Sequence, residues 1–305
     1  MVRKSFVVFV ICISLGLVIS VFAAGETPTA SNLSAAAIVD KNVAARGGLQ
    51  AWRAVQTMLM EGKLGAGGNQ RAVLPVPNQG PKPSLKTLQR PADEIQLPFV
   101  MEMKRPRKMR FELVFKGQTA IQVYDGANGW KLRPYLNRRV VEPYTEEEMK
   151  SASMQADLDG PLVDYAAKGT KIELVGTEKV EDRNTYKVKL TTKDGNSRNV
   201  WIDAQTFLET KIEGQPRRLD GTYHPVEVYF RDYRPVDGLV IPFVLETKVL
   251  PVAVAKTAAG LRDTPVPVER ITMEKVVVNP KFDEPLFTKP QVEAATIKAT
   301  PAKTK

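Results

Sequence analysis

From Arg110 to Val278 apolar and polar residues alternate with a period of two, and this pattern constrains the fold more than any other feature of the chain. Phe111, Leu113 and Phe115 stand against Arg110, Glu112 and Lys116, and Tyr186, Val188 and Leu190 against Thr185, Lys187 and Lys189. Leu208, Thr210 and Ile212 oppose Glu209, Lys211 and Glu213 in the same way. Successive strand side chains point to opposite faces, so each run makes a strand with one apolar and one wet face. Asp125-Gly126, Asp194-Gly195 and Asp237-Gly238 punctuate the runs with the residue types that tight hairpin turns demand. An antiparallel meander follows.

Adding Thr57–Leu64, the stretch that begins at Phe99, Thr119–Tyr124, Trp130–Pro134, Ser197–Ile202, Val226–Phe230, Ile241–Leu250 and Glu269–Val278 brings the expectation to about eleven strands. Helices are expected at two places. Leu33, Ala36, Val39 and Val43 recur at helical spacing, with Ser31 or Asn32 as the cap, Gly47-Gly48 as the stop, and a short helical stretch from Leu49 to Val55 behind it. Between Thr145 and Lys168 the alternation breaks: Thr145 with Glu148 reads as a capping box, and Leu158, Leu162, Tyr165 and Ala166 suggest a second short apolar helical face. The expected class is therefore mainly β with helices (α+β), as a single strongly curved antiparallel sheet wrapping around its helices.

The ends and two interruptions stand apart from this body. Arg3 and Lys4 precede an uncharged apolar run from Phe6 to Val21 that closes on Ala23-Ala24, the pattern of a secretory signal over 1–23, with an uncleaved anchor as the other reading. The domain is expected over 24–290, with a proline-rich insertion at 65–98, a second irregular stretch at 251–267, and a disordered tail over 291–305. Export implies a periplasmic location. The densest basic run, Lys104 to Arg110, lies against a strand and in no nucleic-acid motif, so it reads as a solvated strand face or as an attraction to anionic lipid or acidic protein.

Composition matters most for chemistry. The chain has one Cys and one His, and Cys12 falls inside the signal-like run. His224 precedes a proline at a strand start, with no nucleophile elbow anywhere, and too few soft ligands remain for zinc or haem. No catalytic residue, metal or cofactor is assigned. Asp157 and Asp159 are the one carboxylate pair with glycosidase-like placement, a minor reading. Aromatic residues on or beside strands, Phe115, Tyr124, Trp130, Trp201 and Phe207, either pack a core or line a cavity for an apolar ligand.

Read in order, Ala45-Arg-Gly-Gly48, Lys104-Arg105-Pro106, Tyr124-Asp-Gly-x-x-Gly-Trp130 and Val278-Asn-Pro…Leu286-Phe-Thr-Lys-Pro290 make residues 35 to 290 resemble the outer-membrane lipoprotein-sorting protein family, the LolA/LolB-like carriers. The resemblance implies an unclosed β-barrel with a helical lid over an apolar cavity for the acyl chains of a lipoprotein or lipid. It implies that Arg105, before Pro106, latches the lid. Envelope proteins of the inner or outer membrane are the further partners it suggests, and an envelope sensor that binds a protein on its concave sheet is the alternative function.

Overall fold

The computed structural model describes residues 33–66, 95–134, 138–219, 222–252 and 268–291. The expected signal, most of the proline-rich insertion, the segment 253–267 and the tail from 292 lie outside these residues.

Thirteen strands form one antiparallel sheet. In chain order they begin with β1 (Thr57–Ala66), β2 (Ile95–Lys104), β3 (Lys108–Phe115), β4 (Gln118–Tyr124), β5 (Gly129–Arg133) and β6 (Arg138–Pro143). After the break come β7 (Lys171–Val180), β8 (Arg183–Thr191), β9 (Ser197–Asp203) and β10 (Glu209–Glu213). A separate hairpin, β11 (Arg217–Leu219) with β12 (Thr222–His224), precedes β13 (Val226–Val236), β14 (Leu239–Val249) and β15 (Glu269–Val278). The spatial order is β6-β5-β4-β3-β2-β1-β15-β14-β13-β10-β9-β8-β7, so the first and last strands meet in the centre while β6 and β7 are the two free edges. The sheet is not closed into a barrel.

The strand count exceeds the expectation because β6 and the β11–β12 hairpin carry no clean alternation. Arg138–Pro143 is exposed or half-buried throughout and pairs irregularly with β5, and β11 and β12 are three residues each. The expected loop 65–98 is also shorter at both ends, since Gly65 pairs with Gln96 and Ala66 with Ile95.

Helix α1 (Ala35–Ala45) is capped by Ser34, whose hydroxyl accepts from the Ala37 N–H at 3.2 Å, and not by Ser31 or Asn32. The cap shifts because Ile38, Val39, Asn42 and Val43 must face the sheet together, which fixes where the first turn begins. Gly47 then has φ 111°, and a Cβ there would lie 2.3 Å from the Gly238 carbonyl oxygen, so only glycine lets the turn into α2 (Leu49–Ala54) rest on the β13–β14 hairpin. Helix α3 (Glu146–Gln155) has both halves of the Thr145/Glu148 capping box. The second helical face expected at 158–166 is a chain of turns instead. Gly160 (φ 76°) and Asp164 (φ 53°) take left-handed conformations that no helix tolerates, and Leu158, Leu162 and Val163 are buried from a turn backbone.

Cross-strand partners share a face, so the register sorts the sheet into two sides. Lys131 donates to Glu148 of α3, which marks its face as the inner, helix-facing one, and Gln122, Phe111, Met101 and Met60 are its successive partners across β4, β3, β2 and β1. On the other arm Tyr186 stacks on Phe207, whose carbonyl oxygen accepts from Asn42 of α1, so Tyr186, Val188 and Leu190 are inner too. The outer face is covered near β3 by the C-terminal segment, where Arg110 donates to the Leu286 carbonyl and Phe287 is buried in a short 3-10 turn, Glu284–Phe287.

Candidate functional site

The inner face is rich in methionine: Met58, Met60, Met101, Met103, Met109 and Met273 all point to it, six of the chain's nine. Its burial falls off along the strands. The row Met58–Met103–Met109–Tyr124 is buried, with exposures of 3, 4, 3 and 5%. Further along, Met101, Phe111 and Leu113 are half-buried, and Phe111 stacks on Phe99 at 5.7 Å. At the far end one unbroken apolar row, Leu97–Leu64–Ile271–Leu245–Phe230, crosses β2, β1, β15, β14 and β13. Only Leu97 in that row is buried, and Ile95 beyond it is 51% exposed. Four inter-strand steps make this trough about 19 Å long. Gly62, two residues before Leu64, lets β1 lie this close to β15: a Cβ there would meet the Thr272 carbonyl at 2.1 Å and the Phe99 ring at 3.0 Å.

A layer of helices and turns is tied over the buried end by charges. Arg105 lies where β2 turns into β3, and its guanidinium donates to the Val55 carbonyl (2.7 Å), the Trp52 carbonyl (3.0 Å) and Asp159 Oδ2 (2.6 Å). Asp159, whose side chain is 2% exposed, also accepts from Lys168 Nζ at 2.5 Å, and Lys168 reaches Asp157 at 2.8 Å and the Gly160 carbonyl at 2.7 Å. One turn therefore gathers two carboxylates and two cations, and α2 is pinned to it through Arg105. Burial alone would raise the Asp159 carboxyl, yet the hydrogen bonds from Lys168 and Arg105 hold it below its ordinary value. Burial raises Asp157 above its ordinary value, Lys168 opposing this and the charge on Asp159 adding to it. Arg46 extends the network: it donates to the Asp159 carbonyl and to Glu209 at 3.2 Å each and lies over the Trp52 ring at 4.4 Å. Tyr233 donates to Glu209 at 3.2 Å, and burial pushes its hydroxyl pKa well above the ordinary value.

Helix α3 is fastened separately. Lys131 of β5 holds Glu148, Tyr223 of β12 donates to Glu147 at 3.1 Å, and Lys150 reaches Asn196 at 3.2 Å. Arg217 of β11 grips Glu269 of β15 with two hydrogen bonds of 2.5 and 2.7 Å, which seats the hairpin beside the trough. A groove of about 510 Å³ lies in the helical layer itself, lined by Val39, Val43, Leu49, Leu162 and Tyr165 among others. Among the described residues no three His, Cys, Asp or Glu side chains gather as metal ligands, and no helix is long and apolar enough to cross a membrane.

No family model and no curated protein matches the chain. Among solved structures, a LolA superfamily protein from Nitrosomonas europaea is similar over 84% of this chain and 98% of its own, at 13% identity and a TM-score of 0.50. The fold is LolA-like. A domain named for outer membrane lipoprotein sorting from Vibrio parahaemolyticus (11% identity, 84% and 96% covered, TM-score 0.49) and a DUF1329 family protein from Desulfovibrio piger (14%, 84% and 97%, 0.48) are similar over comparable lengths.

Within this LolA-like fold the residues singled out from the sequence do not converge on one place. Phe115 and Tyr124 lie on the inner face, and Arg105 sits at its buried end. Phe207 packs beside α1, with Lys41 over its ring at 5.1 Å. Trp130 and Trp201 point the other way. Trp130 pairs with Val123 on the outer face, and Trp201 sits there between Lys187 and Lys211, its indole N–H donating to Glu178 at 3.1 Å. The trough residues Leu64, Leu245 and Ile271 were missed because each looks like an ordinary strand residue; only their shared row, built from four pairings, sets them apart. Asp159 was noticed only as half of a carboxylate pair, yet it is the acceptor that both cations share.

Proposed function

We propose that the protein is a periplasmic carrier that shelters the acyl chains of a lipid or lipoprotein in the inner-face trough and releases them when its helical layer opens, with no covalent chemistry. The observation that supports this reading is the half-buried row Leu64–Ile271–Leu245–Phe230: a continuous apolar strip on the inner face of an unclosed sheet, beyond the buried row Met58–Met103–Met109–Tyr124. Covering it is favourable by about 0.8 kcal/mol per methylene, enough for one long chain to bind and for two to stay bound. Methionine-rich lining suits cargo of variable shape, since the side chain is unbranched and readily repacks. Arg105, held to Trp52, Val55 and Asp159, acts in this reading as the latch that keeps the helical layer closed over the buried end.

Protein purified from its own envelope and sprayed under native conditions should carry lipid, and the delipidated protein should take up an acylated peptide. Ile271→Glu places a charge in the middle of the row at a half-exposed position, so folding should survive and uptake should fall more than tenfold. Lipid-free protein with no uptake, or equal uptake by the variant, would sink the proposal.

A further inference from the structure

One inner-face cation is left over. Arg198 in β9 pairs with Leu190 in β8 and so shares the face of Val188 and Val200, which are 0% and 1% exposed. Its own side chain is half-buried, and no carboxylate or carbonyl among the described residues accepts a hydrogen bond from it. The acid whose charge reaches it, Asp157, is already engaged by Lys168 at 2.8 and 3.0 Å. Arg46 is matched by Glu209, and Arg105 and Lys168 by Asp159 and Asp157, so among the described residues of this network one positive charge, on Arg198, is left in excess. Burial weakens the guanidinium's hold on its proton, with Asp157 partly offsetting this, but a guanidinium remains charged in any folded protein. A planar cation with five donors, in a partly dry site and without a hydrogen-bond acceptor among the described residues, is suited to take an oxyanion.

We propose that Arg198 anchors the anionic headgroup of the cargo: the ligand class is an amphiphile whose acyl chain lies in the trough and whose carboxylate or phosphate docks on the guanidinium. This rests on the carrier reading. β9 is two strands from β13, about 10 Å, and the register sets Arg198 level with Val226, four residues or about 13 Å along β13 from the trough's end at Phe230, so the arginine side chain, the headgroup and the first methylenes of the chain together span about 17 Å. A neutral acylglycerol offers Arg198 nothing, so the inference separates fatty acids and phospholipids from uncharged lipids.

The test uses three ligands with one chain, dodecanoate, dodecyl phosphate and dodecanol, titrated into delipidated full-length protein below their aggregation limits. Both anions should bind about tenfold or more tighter than the alcohol, the effect of a charge-assisted hydrogen bond in a half-buried site. Arg198→Gln should erase that preference while leaving dodecanol affinity unchanged, and Arg198→Lys should keep part of it. Thermal unfolding of R198Q should match or exceed that of the parent, because an uncompensated charge is removed. Equal binding of all three ligands would overturn the anchor while leaving the trough intact, and failure of all three would overturn both. Displacement of the bound anions by inorganic phosphate at equal concentration, without any dependence on the chain, would overturn the headgroup assignment in favour of a free-anion site.

Discussion

Asp159→Asn tests the charge network at the buried end. The substitution removes the acceptor that Arg105 and Lys168 share, at 2.6 and 2.5 Å, and puts an amide N–H₂ against one of the two cations. Taking one partner from a buried pair costs about 3–5 kcal/mol. Here the cations keep other acceptors, Arg105 on the Trp52 and Val55 carbonyls and Lys168 on Asp157 and the Gly160 carbonyl, and their side chains are 27% and 18% exposed. A net loss of about 2 kcal/mol remains, which for a sheet of this size lowers the melting temperature by about 4–8 °C. The pH dependence has a definite sign. The Asp159 carboxyl is held below its ordinary 3.8, so its contribution is complete above that value and is lost as pH falls through the lower, folded one. Asp157 has the opposite sign: its folded value lies above 3.8, its ionised form is the costly one, and acidification through that value relieves the cost. Calorimetric melting of the parent, D159N and D157N between pH 7 and pH 3 should show a deficit for D159N that narrows toward pH 3, and a loss under about 1 kcal/mol for D157N at pH 7. Equal deficits in the two variants, or a D159N deficit that is constant down to pH 3, would refute the assignment of Asp159 as the shared acceptor.

Two further substitutions probe the frame. Gly62→Ala drives a methyl to 2.1 Å from the Thr272 carbonyl and 2.9 Å from Met273 Cα, forcing β1 from β15, and should cost about 2–3 kcal/mol in denaturant unfolding. Thr145→Ala removes one half of the α3 capping box and should cost about 1 kcal/mol, read as faster amide exchange in Glu146–Gln155 with the exchange of the central strands unchanged.

Much of the sheet is legible because alternation, turn residues and pairing report the same geometry: Asp125-Gly126 and Asp237-Gly238 are turns in both readings, and Thr145 caps α3 as its spacing implies. What alternation cannot do is say which side of a strand the helices will cover. Trp130 and Trp201 occupy strand positions as plausible as that of Tyr124, and only the register, traced through Val123 and Lys211, puts them on the outer face. Trp201 is nevertheless 3% exposed, because Lys187 and Lys211 lay their alkyl stems and ammonium groups over the indole, so burial itself is no guide to the inner side. The turn at 157–169 misled for a related reason. Its apolar spacing imitates a helix, but Gly160 and Asp164 break the backbone, and the consequence is that Asp157, Asp159 and Lys168 fold back on one another instead of spreading along a cylinder.

The two fastenings of the helical layer are unequal, and the difference gives the site a direction. At the Met58–Tyr124 end the ties converge on an aspartate 2% exposed and are shared among Arg105, Lys168 and, through its carbonyl, Arg46. At the trough end α3 is linked to the hairpin side by exposed contacts, among them the hydrogen bond from Tyr223, a residue 55% exposed, to the exposed Glu147 and one from Gln215 to Met154. A hydrogen bond exposed to water contributes about 1 kcal/mol or less, whereas the buried network must be broken as a unit. Amide exchange should therefore be faster in the β11–β12 hairpin, beside Leu64, Ile271 and Leu245, than in α2 at the Arg105 end. In the carrier reading proposed above, an acyl chain entering there would meet the half-buried row first and the methionine rows afterwards, and would release the Arg105–Asp159 contact only if long enough to reach the buried end.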